Sequence, residues 1–132
     1  MDRLAELNDN MLPFAKLLGI KFVTAELDRL VAELLIRDDL CNRRDIAHGG
    51  VLMAFADTLG AMGTIMNLSY GTSTTTIESK TNFLGAVPVR TCLIGEATPV
   101  HRGKTTMVWQ TRISTQGGKL IALVTQTQFV FA

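Results

Sequence analysis

The sequence predicts an α+β fold, an antiparallel β-sheet packed on one long central α-helix. Three observations carry this. One stretch, residues 51–68, is apolar over the length of a long helix. The chain after Gly71 is rich in Thr, which favours strands, and divides into four runs of strand length. Two further short apolar runs stand ahead of the helix, on either side of Asp28 and Arg29, and read as a strand pair.

Taken in order, residues 3–18 place Leu4, Leu7, Met11, Phe14 and Leu18 at helical spacing, with Pro13 as a break or second start and Gly19 as the end. "IKFVTAEL" and "RLVAELLI" form the strand pair. A polar loop, "RDDLCNRRDIAH", leads into the glycine-rich helix. "TSTTTIESKTNFL", "VPVRTCLIGEATPV", "KTTMVWQTRIST" and "KLIALVTQTQFVF" are the four later strands, separated by Pro88, by residues 101–103 and by Gly117-Gly118. The 132 residues make one domain, 1–132, with residues 1–18 as a helical preface.

Composition narrows the function. Hydrophobic residues are 47% of the chain and charged residues 19%, which excludes disorder. The net charge of +1 argues against a general grip on nucleic acid or on a membrane surface. Residues 51–68 could pass for a membrane span, but they contain Asp57 and leave a strand-rich remainder unexplained, so a buried helix is expected. Residues 1–12 carry four charges and no apolar run, so a cytoplasmic protein is expected, with Cys41 and Cys92 as reduced core thiols. The two His lie 53 positions apart and the acids are scattered, which predicts no metal site and no cofactor.

The stretch "HGGVLMAFADTLGAMG", residues 48–63, carries the chemistry. Gly49, Gly50, Ala54, Ala56, Gly60, Ala61 and Gly63 give it seven small residues. Glycine costs a helix about 1 kcal/mol relative to alanine, so those past the first turn imply a sheet wrapped closely against the helix. Gly49 and Gly50 also leave the first N–H groups unscreened at the positive end of the helix dipole, a ready oxyanion site for a carbonyl substrate. Asp57 is a lone charge in an apolar run, which needs a partner or a task. It lies eight residues beyond Gly49, about 12 Å along one helix. If both act on one carbonyl, they come from two chains whose central helices run antiparallel about a two-fold axis. His48 either orients a substrate or bonds the helix start. Asn42 offers a donor and an acceptor from the preceding loop.

The ordered set "N-(x)5-HGG-(x)6-AD", "TNFLGAVPV", "GEATPVHRGKT" and "GGKLIALVTQTQFVF" resembles the hotdog-fold acyl-CoA thioesterases of the phenylacetate-degradation (PaaI-like) type, over about residues 12–131. The resemblance implies an acyl-CoA substrate and an acid on the central helix that activates water or attacks the thioester, which falls on Asp57. It places the backbone oxyanion donor on Gly49, the loop amide on Asn42 and a water-holding hydroxyl on Thr75. It further implies a homodimer with a continuous sheet, often a dimer of dimers, and basic residues near the CoA phosphates. Arg102 and Lys104 around Gly103 are candidates there, with Arg43 and Arg44. Gly50 and Phe83 are expected to touch substrate, and Met53, Phe55, Met62 and Met66 serve either an acyl pocket or the core. Two other readings stand beside hydrolysis: a non-catalytic acyl-CoA sensor and a hydratase or dehydratase. The first usually carries a DNA-binding domain for which this chain has no room. The second needs a His–acid pair of different spacing.

Overall fold

In the computed structural model, which describes residues 2–132, the N-terminal segment breaks at Pro13 as its sequence requires. Helix α1 (Arg3–Asp9) is capped by the Asp2 side chain, which accepts from the Leu4 N–H. Helix α2 (Pro13–Leu18) begins on Pro13, whose missing N–H costs nothing in a first turn, and ends on Gly19 at φ 84°. Strands β1 (Lys21–Glu26) and β2 (Arg29–Leu35) follow, then a loop with two 3-10 turns, then helix α3 (Gly49–Met66). Strands β3 (Ser73–Phe83), β4 (Cys92–Arg102), β5 (Thr106–Thr115) and β6 (Leu120–Phe131) complete the chain.

The six strands form one sheet in the order β1-β2-β4-β5-β6-β3, antiparallel at every pairing. The sheet curls around α3, which packs on β2, β3, β4, β5 and β6. Leu52, Phe55, Ala56, Leu59, Gly60, Gly63 and Thr64 form the buried stripe of α3, at the three- and four-residue spacing of a helix face. Opposite them lie the inward residues of alternate strand positions, among them Leu34, Leu93, Trp109, Ile113, Ala122 and Val124. The helix has the length and apolarity of a membrane span, yet it is the core helix of this sheet.

The small residues of α3 have definite neighbours. A Cβ built on Gly63 would come within 2.8 Å of the Trp109 ring, and one on Gly60 would strike the Gln126 amide. From the sheet side, a Cβ on Gly95 would sit 2.9 Å from the Phe55 ring. Helix and sheet therefore approach through glycines on both.

Several boundaries differ from the sequence reading. The segment 87–91 precedes β4 rather than belonging to it, because Arg90 takes a left-handed φ of 69° that no strand sustains. His101 and Arg102 belong to β4, and the turn is residues 103–105. Cys41 and Cys92 are unpaired but half-buried rather than core residues, and burial is the leading cause pushing both thiols up. Strand β3 carries a bulge between Thr76 and Glu78, so Ile77 has no partner on β6.

Replacing Gly63 by Ala should therefore lower stability despite alanine's better helix propensity. Overpacking against the buried Trp109 costs about 1–3 kcal/mol, against about 1 kcal/mol gained in the helix. Urea denaturation should show a net loss; a more stable variant would contradict the tight approach.

Candidate active site

The loop before α3 is clamped from two sides. The His48 N–H donates to the Leu40 carbonyl, the Ala47 N–H to Val87 and the Val89 N–H to Asp45. Within it Arg44 and Asp45 take consecutive left-handed φ values of 66° and 56°, a conformation that costs L-residues free energy and needs such clamps to persist. The loop delivers the helix start at a fixed position.

At that start, His48 is the N-cap, and its Nδ1 accepts from the Gly50 N–H at 2.8 Å. Gly50 thus spends its N–H on the cap, and a side chain there would press within 3.0 Å of the imidazole. The Gly49 N–H, among the described residues, has no intrachain acceptor. The Phe83 ring lies beside it, 3.1 Å from where a Gly49 Cβ would be. A group bound at the Gly49 N–H meets the positive end of the α3 dipole and the edge of Phe83.

Asp57 lies on the flank of the buried stripe, facing β3 and β6, and is half-buried. The Thr76 hydroxyl donates to Asp57 Oδ1 at 2.6 Å, and the Gln126 amide Nε2 reaches the same oxygen at 3.3 Å. The Gln128 amide donates to Thr76 Oγ1 at 2.6 Å, and the Thr74 hydroxyl donates to Gln128 Oε1 at 3.0 Å. Gln126 and Gln128 are fully buried. Charge in this helix is held by donors from two strands rather than by an ion pair.

The hydroxyl that bonds Asp57 is that of Thr76, a neighbour of the Thr75 to which the resemblance assigns a water-holding role. Thr75 pairs with Phe129 on the outward face of the sheet and is exposed; successive strand residues point to opposite faces. Thr76, Gln126 and Gln128 were missed. "TQTQF" reads from the sequence as strand, and only burial distinguishes its two glutamines.

Asn42 is exposed in the loop; its N–H donates to the Ile46 carbonyl at 2.8 Å, and its side chain caps nothing. Phe55 is core, while Met62 and Met66 line an apolar groove under α1 rather than the surroundings of Gly49. Arg102, Gly103 and Lys104 stand at the far end of α3, about 27 Å from Gly49 in the same chain by helix rise. Arg102 Nη1 approaches the Leu27 carbonyl at 3.4 Å and Asn67 Oδ1 at 3.5 Å. Gly103 is fixed by its hairpin, since a Cβ there would meet the His101 ring and, at 3.0 Å, the Thr106 carbonyl. Lys104 is exposed beside a pocket lined by residues of the α3 C-terminus, the β4–β5 turn and the end of β6. Arg43 and Arg44 are exposed and, among the described residues, form no ion pair. One chain thus places Asp57 with its donors and Gly49 with Phe83, and leaves the turn of Arg102 and Lys104 at the other end of α3 from Gly49.

The model of the thioesterase superfamily matches residues 45–122, which include both ends of this site. Among solved structures, a thioesterase of Haemophilus influenzae superposes with a TM-score of 0.92 at 26% identity, over 99% of this chain and 92% of that one. The PaaI protein from the phenylacetic acid degradation operon of Escherichia coli gives 0.87 at 25%, over 98% and 92%. A hypothetical thioesterase protein of Streptococcus pneumoniae, solved with coenzyme A, gives 0.78 at 26%, over 86% and 89%. The curled sheet and central helix are the hotdog fold of these proteins.

The helix cap can be measured on its own. Loss of an N-cap acceptor costs about 0.5–2 kcal/mol, so His48→Ala should lower the unfolding free energy by that amount and His48→Asn should recover most of it. Wild-type stability in the Ala variant would show that the imidazole contributes nothing as a cap.

Proposed function

This chain belongs to the thioesterase superfamily, and from that membership we propose that it hydrolyses acyl-CoA thioesters to a carboxylic acid and free CoA. The observation that carries the reading is the pairing of a hydrogen-bonded, half-buried Asp57 with an unpartnered N–H at Gly49, eight residues away on one helix. The relative solved with coenzyme A supports CoA as the thiol.

The two groups are about 12 Å apart within a chain, so the proposed site is shared by a homodimer. Strand β3 favours this. It is an edge of the sheet, 11 residues long, and offers a free row of backbone donors and acceptors to a second β3. A two-fold axis beside it makes the sheet continuous and sets the α3 helices antiparallel, one chain's Gly49 opposite the other's Asp57. The same operation carries the Arg102–Lys104 turn of one chain toward Arg43 and Arg44 of the other. Basic residues remote from each other in one chain thereby converge where CoA phosphates need them. Pairing of two such dimers remains compatible with this arrangement.

In the proposed reaction the thioester oxygen sits at the Gly49 N–H against Phe83, and Asn42 and Thr75 orient water or the carboxylate. Asp57 takes a proton from water as the water oxygen attacks the carbonyl carbon. The oxyanion collapses, the carbon–sulfur bond breaks, and the proton held by Asp57 passes to the departing thiolate. In the nucleophilic variant Asp57 itself attacks, CoA leaves, and water hydrolyses the resulting anhydride. One oxyanion donor of this kind is worth about 3 kcal/mol. Both routes use protein groups and water alone, without metal or cofactor.

Asp57→Asn should reduce free-thiol release from acyl-CoA substrates by orders of magnitude with the fold retained; turnover near wild type would refute the assignment. Gly49→Pro removes the N–H at a first-turn position where proline fits the backbone, though its ring meets Phe83. With folding checked by thermal unfolding, it should also be inactive. Equal mixing of the two variants, unfolded and refolded together, should restore about a quarter of wild-type activity, because half the dimers are mixed and each holds one intact site. No recovery in a population shown to contain mixed dimers would mean that the site is not shared.

A further inference from the structure

The geometry points to Gln126 and Gln128 as positioning residues that saturate Asp57 Oδ1 and leave Oδ2 as the oxygen that reacts. The inference rests on Asp57 being the catalytic acid. Its starting point is the direction of each hydrogen bond. An ionised carboxylate only accepts, so the Thr76 hydroxyl, 2.6 Å from Oδ1, must spend its one proton there. Thr76 Oγ1 is then free only to accept, and the group 2.6 Å from it is the Gln128 amide nitrogen. That orientation turns Gln128 Oε1 toward the Thr74 hydroxyl, whose Oγ1 lies 3.0 Å from both this oxygen and the Phe129 carbonyl and has one proton to give. Donation therefore runs one way, from Gln128 through Thr76 into Asp57 Oδ1.

Gln126 makes a second approach to the same oxygen. Its Nε2 lies 3.3 Å from Oδ1 and 3.5 Å from the Asp57 carbonyl oxygen, spanning side chain and backbone of the acid. The amide occupies the space that a side chain at position 60 would fill, so the glycine of α3 is what admits it. A purely structural role explains Gln126 poorly. It is fully buried, and its Oε1 has no partner among the described residues, a condition that an apolar residue of similar shape would relieve. Neither amide touches Oδ2.

The test is a set of variants assayed for kcat and KM by free-thiol release, with thermal unfolding as the check on folding. Gln126→Met and Gln128→Met keep side-chain length and remove the amide. Each should lower kcat roughly 10- to 100-fold with KM within about two-fold, since misplacing a reacting group affects the chemical step. Thr76→Val should behave likewise, and Thr76→Ser, which keeps the hydroxyl, should restore kcat. The deciding measurement is the combination with Asp57→Asn: with the carboxylate gone, neither Met substitution should lower the residual rate further. A further loss equal to that in the wild-type background would make the amides structural and overturn the inference. So would wild-type kcat in both Met variants while Asp57→Asn is crippled. Wild-type turnover in Asp57→Asn would instead remove the assignment of Asp57, and the inference with it. If a Met variant fails to fold, the Thr76 pair tests the same chain of donors at a half-buried position.

Discussion

The close approach of α3 to the sheet is the constraint on which the rest of the structure depends. Side chains of ordinary size at Gly60, Gly63 and Gly95 would hold helix and sheet apart. With glycine there, the Trp109 ring, the Phe55 ring and the Gln126 amide lie directly against their neighbours. Helix propensity is sacrificed at two positions of α3 for a distance at which the Gln126 amide on β6 reaches a carboxylate on the helix. Packing and polar chemistry are thus one arrangement: the residues that close the core also place the donors of Asp57.

The two ends of the candidate site are held by different means. At Gly49 the group presented is a backbone N–H, fixed because the loop before it is tied to Leu40 and Val87 and because His48 occupies the next N–H. At Asp57 the group is a side chain, fixed by hydrogen bonds from two adjacent strands. A backbone donor needs only a rigid helix start. A carboxylate has rotatable bonds, and the sheet supplies the restraint that the helix cannot.

Much of this was legible in the sequence, and the reasons differ by element. The breaks at Pro13 and Gly19, the helix at residues 49–66 and the later strands follow from local chemistry: a missing N–H, a left-handed residue, a small-residue face, β-branched runs. Asp57 stood out because a charge in an apolar run is anomalous in any context. Thr76 carried no signal of its own, being one Thr in a Thr-rich strand, and its facing is settled only by pairing with β6. Gln126 and Gln128 were invisible for a related reason. Their burial depends on β3 on one side and α3 on the other, and no local signal separates a buried glutamine from an exposed one.

The bulge at Ile77 has a consequence for how this protein can change. Thr76 and Phe83 are seven positions apart, an odd interval that would send them to opposite faces of a regular strand. Both face α3, because the extra residue resets the alternation between them. The strand's length is therefore under tighter restraint than its lettering. Lineages descended from this sequence can exchange many outward β3 residues freely. A gain or loss of one residue between these two points would instead separate the acid's support from the aromatic wall beside the helix start.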